Sequence, residues 1–359
     1  MSKNANTEST NEMSLKMSEV HDLLVKIINY NCDLADNPRA QRWEESVVPY
    51  LQSTPGIGKT SITIAASATT ESDFRGFIGA QYDPAEMAGF IFFDQSQRLT
   101  WRAKPDFLVN EGKAVVLCDE FAQMTMMQKN IMAQLIQERR LGDHHLSKYA
   151  TLVLAGNRAQ DRAGVHPDPT HVTDRVFIIN VMADFDDWSL WALANGVRPE
   201  IVSYLKFRTT FFNQFDPAAK KNSTPRGWTK VSTFLNMELP PLIEAAAIQG
   251  QVGPGAATDF TAYLRVFRDL PDIDKVLADP KNHPVPDANK KPDVIYALCG
   301  ALSYRAKAEN IAAIIAFAGR LPGEFEAMTI KDAIQRERSL RKTKPIMEWL
   351  ETRGTKLFL

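Results

Sequence analysis

The chain has 359 residues, 44% apolar and 24% charged, with a net charge of −1. That length holds two or three domains with sizeable cores, and the balanced charge excludes the basic excess of a non-specific nucleic-acid binder. Cys32, Cys118 and Cys299 form no C-x-x-C pair, which argues against a disulfide framework or zinc site and suits a reduced, cytoplasmic compartment.

Residues 1–14 are polar and lack an apolar signal core, so they are expected to be a disordered tail. Apolar residues at Leu15, Val20, Leu23, Leu24, Ile27 and Ile28 have helical spacing over 15–31. A connector from Asp36 to Trp43 follows. Residues 46–52, S-V-V-P-Y-L-Q, then read as a strand running into S-T-P-G-I-G-K-T at 53–60. This is the pattern of a phosphate-binding loop. Gly56 and Gly58 give the backbone freedom for close approach, Lys59 is placed to reach the β- and γ-phosphates, and the Thr60 hydroxyl to sit on Mg²⁺. A helix starting near Lys59 adds its N-terminal dipole to the anion site. The nucleotide-contacting set is Ser53, Thr54, Pro55, Gly56, Ile57, Gly58, Lys59, Thr60 and Ser61. Ser53 stands where the consensus has its first glycine; a glycine turn without a ligand is the plainer alternative.

Residues 73–82 read as a second strand, with a short helix from Asp83-Pro84 to Gly89 and two short strands at 90–93 and 98–103. The run A-V-V-L-C-D-E at 114–120 has the continuous apolarity of a parallel strand buried on both faces. It ends in Asp119 and Glu120, at the strand end where open α/β sheets bind ligands. Asp119 is expected to hold Mg²⁺ and Glu120 to polarise the attacking water. The next strand, 150–155, ends in Gly156-Asn157-Arg158, where an amide can orient that water. A strand at 176–182 is entered through Asp174-Arg175. His144-His145 read as an exposed polar turn, and His166 and His171 as loop residues rather than ligands.

Beyond Asp184 the pattern turns helical, over 188–212, 227–250 and, after Gly253-Pro254-Gly255, 256–268. Residues 279–292 carry four prolines in 14 residues and read as a linker or long loop. Helices are expected at 293–304 and 308–319. The apolar run 311–318 is far short of the roughly 20 residues needed to span a bilayer. The basic stretch 331–344 reads as a solvated helix face or a subunit contact.

Taken in order, these motifs are similar to those of AAA+ ATPases, and over residues 40–260 the chain resembles the MoxR branch. The carriers are the T-P-G-I-G-K-T loop, Asp119-Glu120, the helix within Gln128–Gly142, Asn157, Asp174-Arg175-Val176 and Thr224-Pro225-Arg226. Ser53 for glycine and Val176 for phenylalanine depart from the pattern. The resemblance implies a P-loop AAA+ core, a parallel sheet sandwiched by helices over 15–184, with a hairpin inserted in the helix after the second strand. A helical lid at 185–268 and a helical extension at 269–359 complete the expected domains. It implies Asn157 as first sensor, Arg226 as second, and Arg175 as the arginine reaching a neighbouring subunit's γ-phosphate, with Arg158 and Arg162 as rivals. It further implies Mg²⁺ and ATP as cofactors, a self-assembled ring, typically a hexamer, and a protein client, such as one with a von Willebrand A domain. The hairpin would point to the ring's pore, where Phe92, Phe93 and Trp101 grip a polypeptide or merely pack the insert. A nucleic-acid-linked motor and a nucleotide-dependent assembly module are the alternative functions; near-neutral charge argues against the first, Asp119, Glu120 and Asn157 against the second.

Overall fold

The computed structural model describes residues 13–37, 46–88, 90–93, 95–102, 107–141, 144–158, 161 and 166–354. Two compact units divide the chain, Met1–Ala183 and Asp184–Leu359.

The first unit is built on a parallel sheet of β1 (Ser14–Leu15), β2 (Pro49–Ser53), β3 (Asp73–Ile78), β6 (Ala114–Asp119), β9 (Ala150–Asn157) and β10 (Phe177–Val181), in the order β1-β10-β2-β9-β6-β3. The strands form because their runs alternate between two buried faces. Val116, Cys118, Leu152 and Leu154 enter one apolar cluster with Phe121 and Met132, while Val115, Leu117, Val153 and Ala155 enter the other with Val20, Leu24 and Ile28. Each Val, Leu, Ile, Phe or Met among them contributes about 1.5–3 kcal/mol on burial. Helices α1 (Met17–Asp36) and α2 (Lys59–Thr69) cover the second face. The parallel register places Ser53 beside Asn157, and Cys118 beside Leu154, so the carboxyl ends of β2, β9 and β6 lie side by side. This is the parallel sheet sandwiched by helices that the resemblance implies. The insert is present too: α3 (Pro84–Ala88) leads to an antiparallel hairpin of β4 (Phe90–Phe93) and β5 (Leu99–Arg102).

Several local expectations change. Ser14, expected in the tail, and Leu15, expected in the helix, pair instead with Asn180 and Val181, and α1 runs from Met17 on to Asp36. The second strand stops at Ile78, where a 3₁₀ turn takes over at Gly79–Gln81. His144–His145 form β8, a short strand paired with β7 (Arg140–Leu141), rather than a turn. Most of the 36–43 connector, along with Gly89, Gly142, Arg162 and residues 1–12 of the expected tail, lies outside the described residues.

In the second unit the regular elements among the described residues are helical, apart from one bridge between Gln214 and Ser223. The expected 188–212 helix is two, α6 (Phe185–Ala194) and α7 (Pro199–Phe207), because Gly196 turns left-handed at φ 72° and Pro199 starts afresh. The 227–250 helix is likewise α8 (Pro225–Leu235) and α9 (Pro241–Val252), parted by Pro240-Pro241. Tyr204 packs with Trp228, Phe260 and Tyr263 at ring distances of 5.5, 5.0 and 5.4 Å, an aromatic centre shared by α7, α8 and α10 (Pro254–Arg268). Beyond α11 (Ile273–Ala278), α12 (Pro292–Arg305) packs directly on α7: a Cβ added at Gly300 would stand 2.7 Å from that of Ser203. The helices past residue 268 therefore belong to the same compact unit as those before it. After α13 (Ile311–Ala318), the basic stretch is divided between α14 (Gly323–Arg336), the 3₁₀ turn Arg338–Lys342 and α15 (Lys344–Trp349). Arg336 is drawn in, donating to the Ser303 and Ala306 carbonyls at the end of α12, while Lys331, Arg338, Arg341, Lys342 and Lys344 stay exposed.

Candidate functional site

The loop after β2 has the backbone of an anion cradle. Gly56 and Gly58 have φ of 83° and 120°, values an L side chain resists, and Gly58 is the N-cap of α2. Lys59 opens that helix, where the unpaired N–H groups and the dipole favour negative charge. Its side chain is buried, and Nζ donates to Ser53 Oγ at 2.9 Å and Asn157 Oδ1 at 3.1 Å. Ser53 ends β2 fully buried, its hydroxyl donating to the Thr54 carbonyl at 2.8 Å. The serine in the glycine position therefore leaves the loop's form intact and supplies an acceptor for the lysine. Thr54 and Ile57 are buried, Pro55 partly so, and Ser61 is exposed on the first turn of the helix.

Thr60 Oγ1 donates to Asp119 Oδ2 at 2.6 Å, across 59 residues of sequence. A hydroxyl and a carboxylate that converge in this way are the hard-oxygen donors a Mg²⁺ ion takes when phosphates supply the remainder. Glu120, next along, is half-buried and left-handed, with φ 55° and ψ 30°. For a residue with a Cβ that conformation costs about 1–2 kcal/mol. Two bonds hold it: Glu120 N donates to Asp119 Oδ1 at 2.9 Å, and Gln123 N to the Glu120 carbonyl at 2.9 Å. Beside Thr60 and Asp119 opens a cavity of about 580 Å³ walled by Phe74, Phe77 and Tyr82; of the loop, Thr60 alone reaches it. Burial pushes the Cys118 thiol far above its ordinary range, so it is packing and not a nucleophile.

The arginines fall into different settings. Arg158 is engaged at home, with Nε and Nη2 both 3.2 Å from the Asp161 carboxylate. Arg175 is exposed just before β10, its Nη1 donating to the His171 carbonyl one turn back. Arg226 is exposed in the first turn of α8, which Thr224 caps by accepting from Gly227 N at 3.1 Å; it belongs to the second unit, so the first unit's geometry does not include it. Of the hairpin aromatics, Phe93 is exposed, paired in register with Leu99, which is exposed too; the side chains of Phe92 and Trp101 lie outside what is described.

Sequence reasoning missed two residues of α4 (Met126–Glu138). Gln128 completes a capping box with Thr125 and donates to the Tyr82 carbonyl at 2.5 Å, joining this helix to the turn after β3. Lys129 is fully buried and ion-paired with Asp168 at 2.7 Å. A lysine amid M-M-Q-K-N-I-M-A in an amphipathic helix gives no signal that it points inward.

No protein-family model and no curated protein matches the chain. Among solved structures it is similar to the RuvB Holliday junction branch migration motor of Thermotoga maritima, at 14% identity and a TM-score of 0.37, covering 78% of this chain and 81% of that one. It is also similar to NtrX of Brucella abortus, at 11% identity and a TM-score of 0.35, covering 97% and 68%. Likenesses this distant carry no argument about chemistry, which rests on the residues themselves.

Proposed function

We propose that this chain is a MoxR-like AAA+ ATPase that couples Mg-ATP binding and hydrolysis, in a ring of copies of itself, to remodelling or maturation of a protein client in the cytoplasm. The observation that carries the reading is the convergence of Lys59 with Asn157 and Ser53, and of Thr60 with Asp119, at the ends of three adjacent parallel strands. Lys59 and the α2 N-terminus bind the phosphates, while Thr60 and Asp119 hold Mg²⁺, which when bound neutralises charge building on them. Glu120 takes the proton of the attacking water and Asn157 orients that water. Arg175 and Arg226 are both exposed, and their assignment as trans arginine and second sensor follows the resemblance.

Lys59→Ala tests the site. The reading expects calorimetry to show no Mg-ATP binding, because the only side-chain cation of the loop is gone. Wild-type affinity in that variant would sink it. For the client, turnover should rise with a folded von Willebrand A domain protein; stimulation by DNA instead would favour a nucleic-acid motor.

A further inference from the structure

We infer that Lys129 is a positioning residue for hydrolysis: its buried ammonium pins the turn that carries Glu120 to the loop that leads to Arg175. The inference rests on the ATPase reading of the Asp119-Glu120 site and adds to it a coupling between two parts of that site.

The side chain has no exposed surface. Removing an ammonium from water costs several kcal/mol even after relaxation, so it persists only where charge and donors are all matched. Nζ meets Asp168 Oδ1 at 2.7 Å, the His166 carbonyl at 2.6 Å and the Ala122 carbonyl at 3.3 Å, with the Pro167 carbonyl at 3.4 Å. The Phe121 ring lies 5.6 Å away, within cation–π range. These partners come from two segments. Phe121 and Ala122 form the turn directly after Glu120, and residues 166–168 belong to the loop feeding α5 (Thr170–Thr173), from which Arg175 follows. The Ala122 carbonyl also accepts from His166 N at 2.9 Å, so the two segments are bonded to each other as well as to the lysine.

A third segment closes the knot. A Cβ at Gly156 would stand 2.8 Å from Ala122 Cβ and 3.0 Å from its nitrogen. The strand end that carries Asn157 therefore abuts the same turn. An apolar pair could fill the volume of Lys129 and Asp168 together at little loss of stability. What it could not do is bind backbone carbonyls of both segments at once. A shift of the 166–168 loop is in this way transmitted to the Glu120 turn, and the reverse.

The test is the double variant Lys129→Met with Asp168→Leu, which removes both charges together and so avoids stranding either one. If the pair serves stability alone, this protein should fold and turn over ATP normally. The inference expects near-native thermal stability and Mg-ATP affinity, unchanged KM, and a kcat lowered on the order of a hundredfold, as for a reacting group misplaced by about 1 Å. It also expects hydrogen exchange to rise together in residues 119–123 and 166–175. Native kcat in a folded double variant, or exchange that rises in one segment alone, overturns it. Should the double variant fail to fold, the native chain decides: Mg-ATP must slow exchange in both segments, and slowing confined to 119–123 overturns the coupling. A wild-type chain that binds no ATP overturns the ATPase reading instead; the exchange of the ligand-free double variant then still judges the clamp.

Discussion

Among the described residues each unit sets a little-exposed lysine against a little-exposed aspartate, and the two pairs do different work. In the first, Lys129 meets Asp168 and also three backbone carbonyls, in a loop and a single 3₁₀ turn. In the second, Lys206 grips both oxygens of Asp332, at 2.5 and 2.6 Å, and joins two regular helices, α7 and α14. Regular helices satisfy their own backbones, so the second pair can add only register and cohesion. Loops do not, so the first pair sets where the backbone goes. What a buried charge does is read from the segments it ties more than from its distance to a partner.

The comparison breaks first at Arg175. If the loop anchored by Asp168 carries no chemistry, the first pair is as structural as the second. Arg175→Ala should bind Mg-ATP normally and lose about 10³–10⁵ in kcat, the scale for an arginine acting in trans. Mixing it with Lys59→Ala chains supplies an intact arginine from one and an intact loop from the other. Mixed rings, confirmed by mass, should regain turnover; if they regain none, Arg175 does not act across subunits.

At the other end of the knot, Glu120→Gln should keep Mg-ATP affinity and lose about 10²–10⁴ in kcat, since an amide cannot accept the water proton. It should also trap an assembled ring. Turnover equal to wild type would assign the base to another residue.

Lys206→Met sharpens the contrast from the side of stability. It leaves Asp332 buried and unpaired, which costs about 3–5 kcal/mol, read as a fall in the denaturation midpoint without loss of ATP affinity in the folded protein. Burial already raises the Asp332 carboxyl, and Lys206 works against that rise. With the lysine gone the folded-state value climbs further. A carboxyl raised in the folded state favours folding below its unfolded value and loses that contribution as pH rises through the folded one. The deficit should therefore be smaller near about pH 5 than near about pH 8; a pH-independent deficit would exclude a stranded charge as its cause.

The sheet was legible in the sequence because strands buried on both faces must be continuously apolar, as 114–118 and 152–155 are. So were Lys59, Thr60, Asp119 and Asn157 as neighbours, because parallel strands deliver their carboxyl ends to one edge. Helix breaks at Gly196 and Pro240-Pro241 were written in the residues but outweighed by apolar spacing on either side. The left-handed Glu120 and the inward Lys129 were not legible. Both contradict their residues' ordinary preferences: Glu120 is held by its bonds with Asp119 and Gln123, and Lys129 by partners distant in sequence, the His166 carbonyl and Asp168.

The smallest expected effect tests the third member of the knot. Gly156 has ordinary strand geometry, so its lack of a side chain is a matter of space. An added methyl would meet Ala122 Cβ at 2.8 Å, Tyr50 Oη at 2.9 Å and Ala122 N at 3.0 Å. Two of these atoms belong to the turn after Glu120, which must retreat. Gly156→Ala should cost about 1–3 kcal/mol, the usual penalty for overpacking. If the turn is what gives way, kcat should fall as well, while Mg-ATP affinity changes little. Adding Ala122→Gly removes the opposing methyl and should restore part of both losses. Residues in contact couple in a double-mutant cycle, whereas independent sites add. A strictly additive result would show that the methyl at position 156 is absorbed elsewhere, and that the strand end and the Glu120 turn are not in mechanical contact.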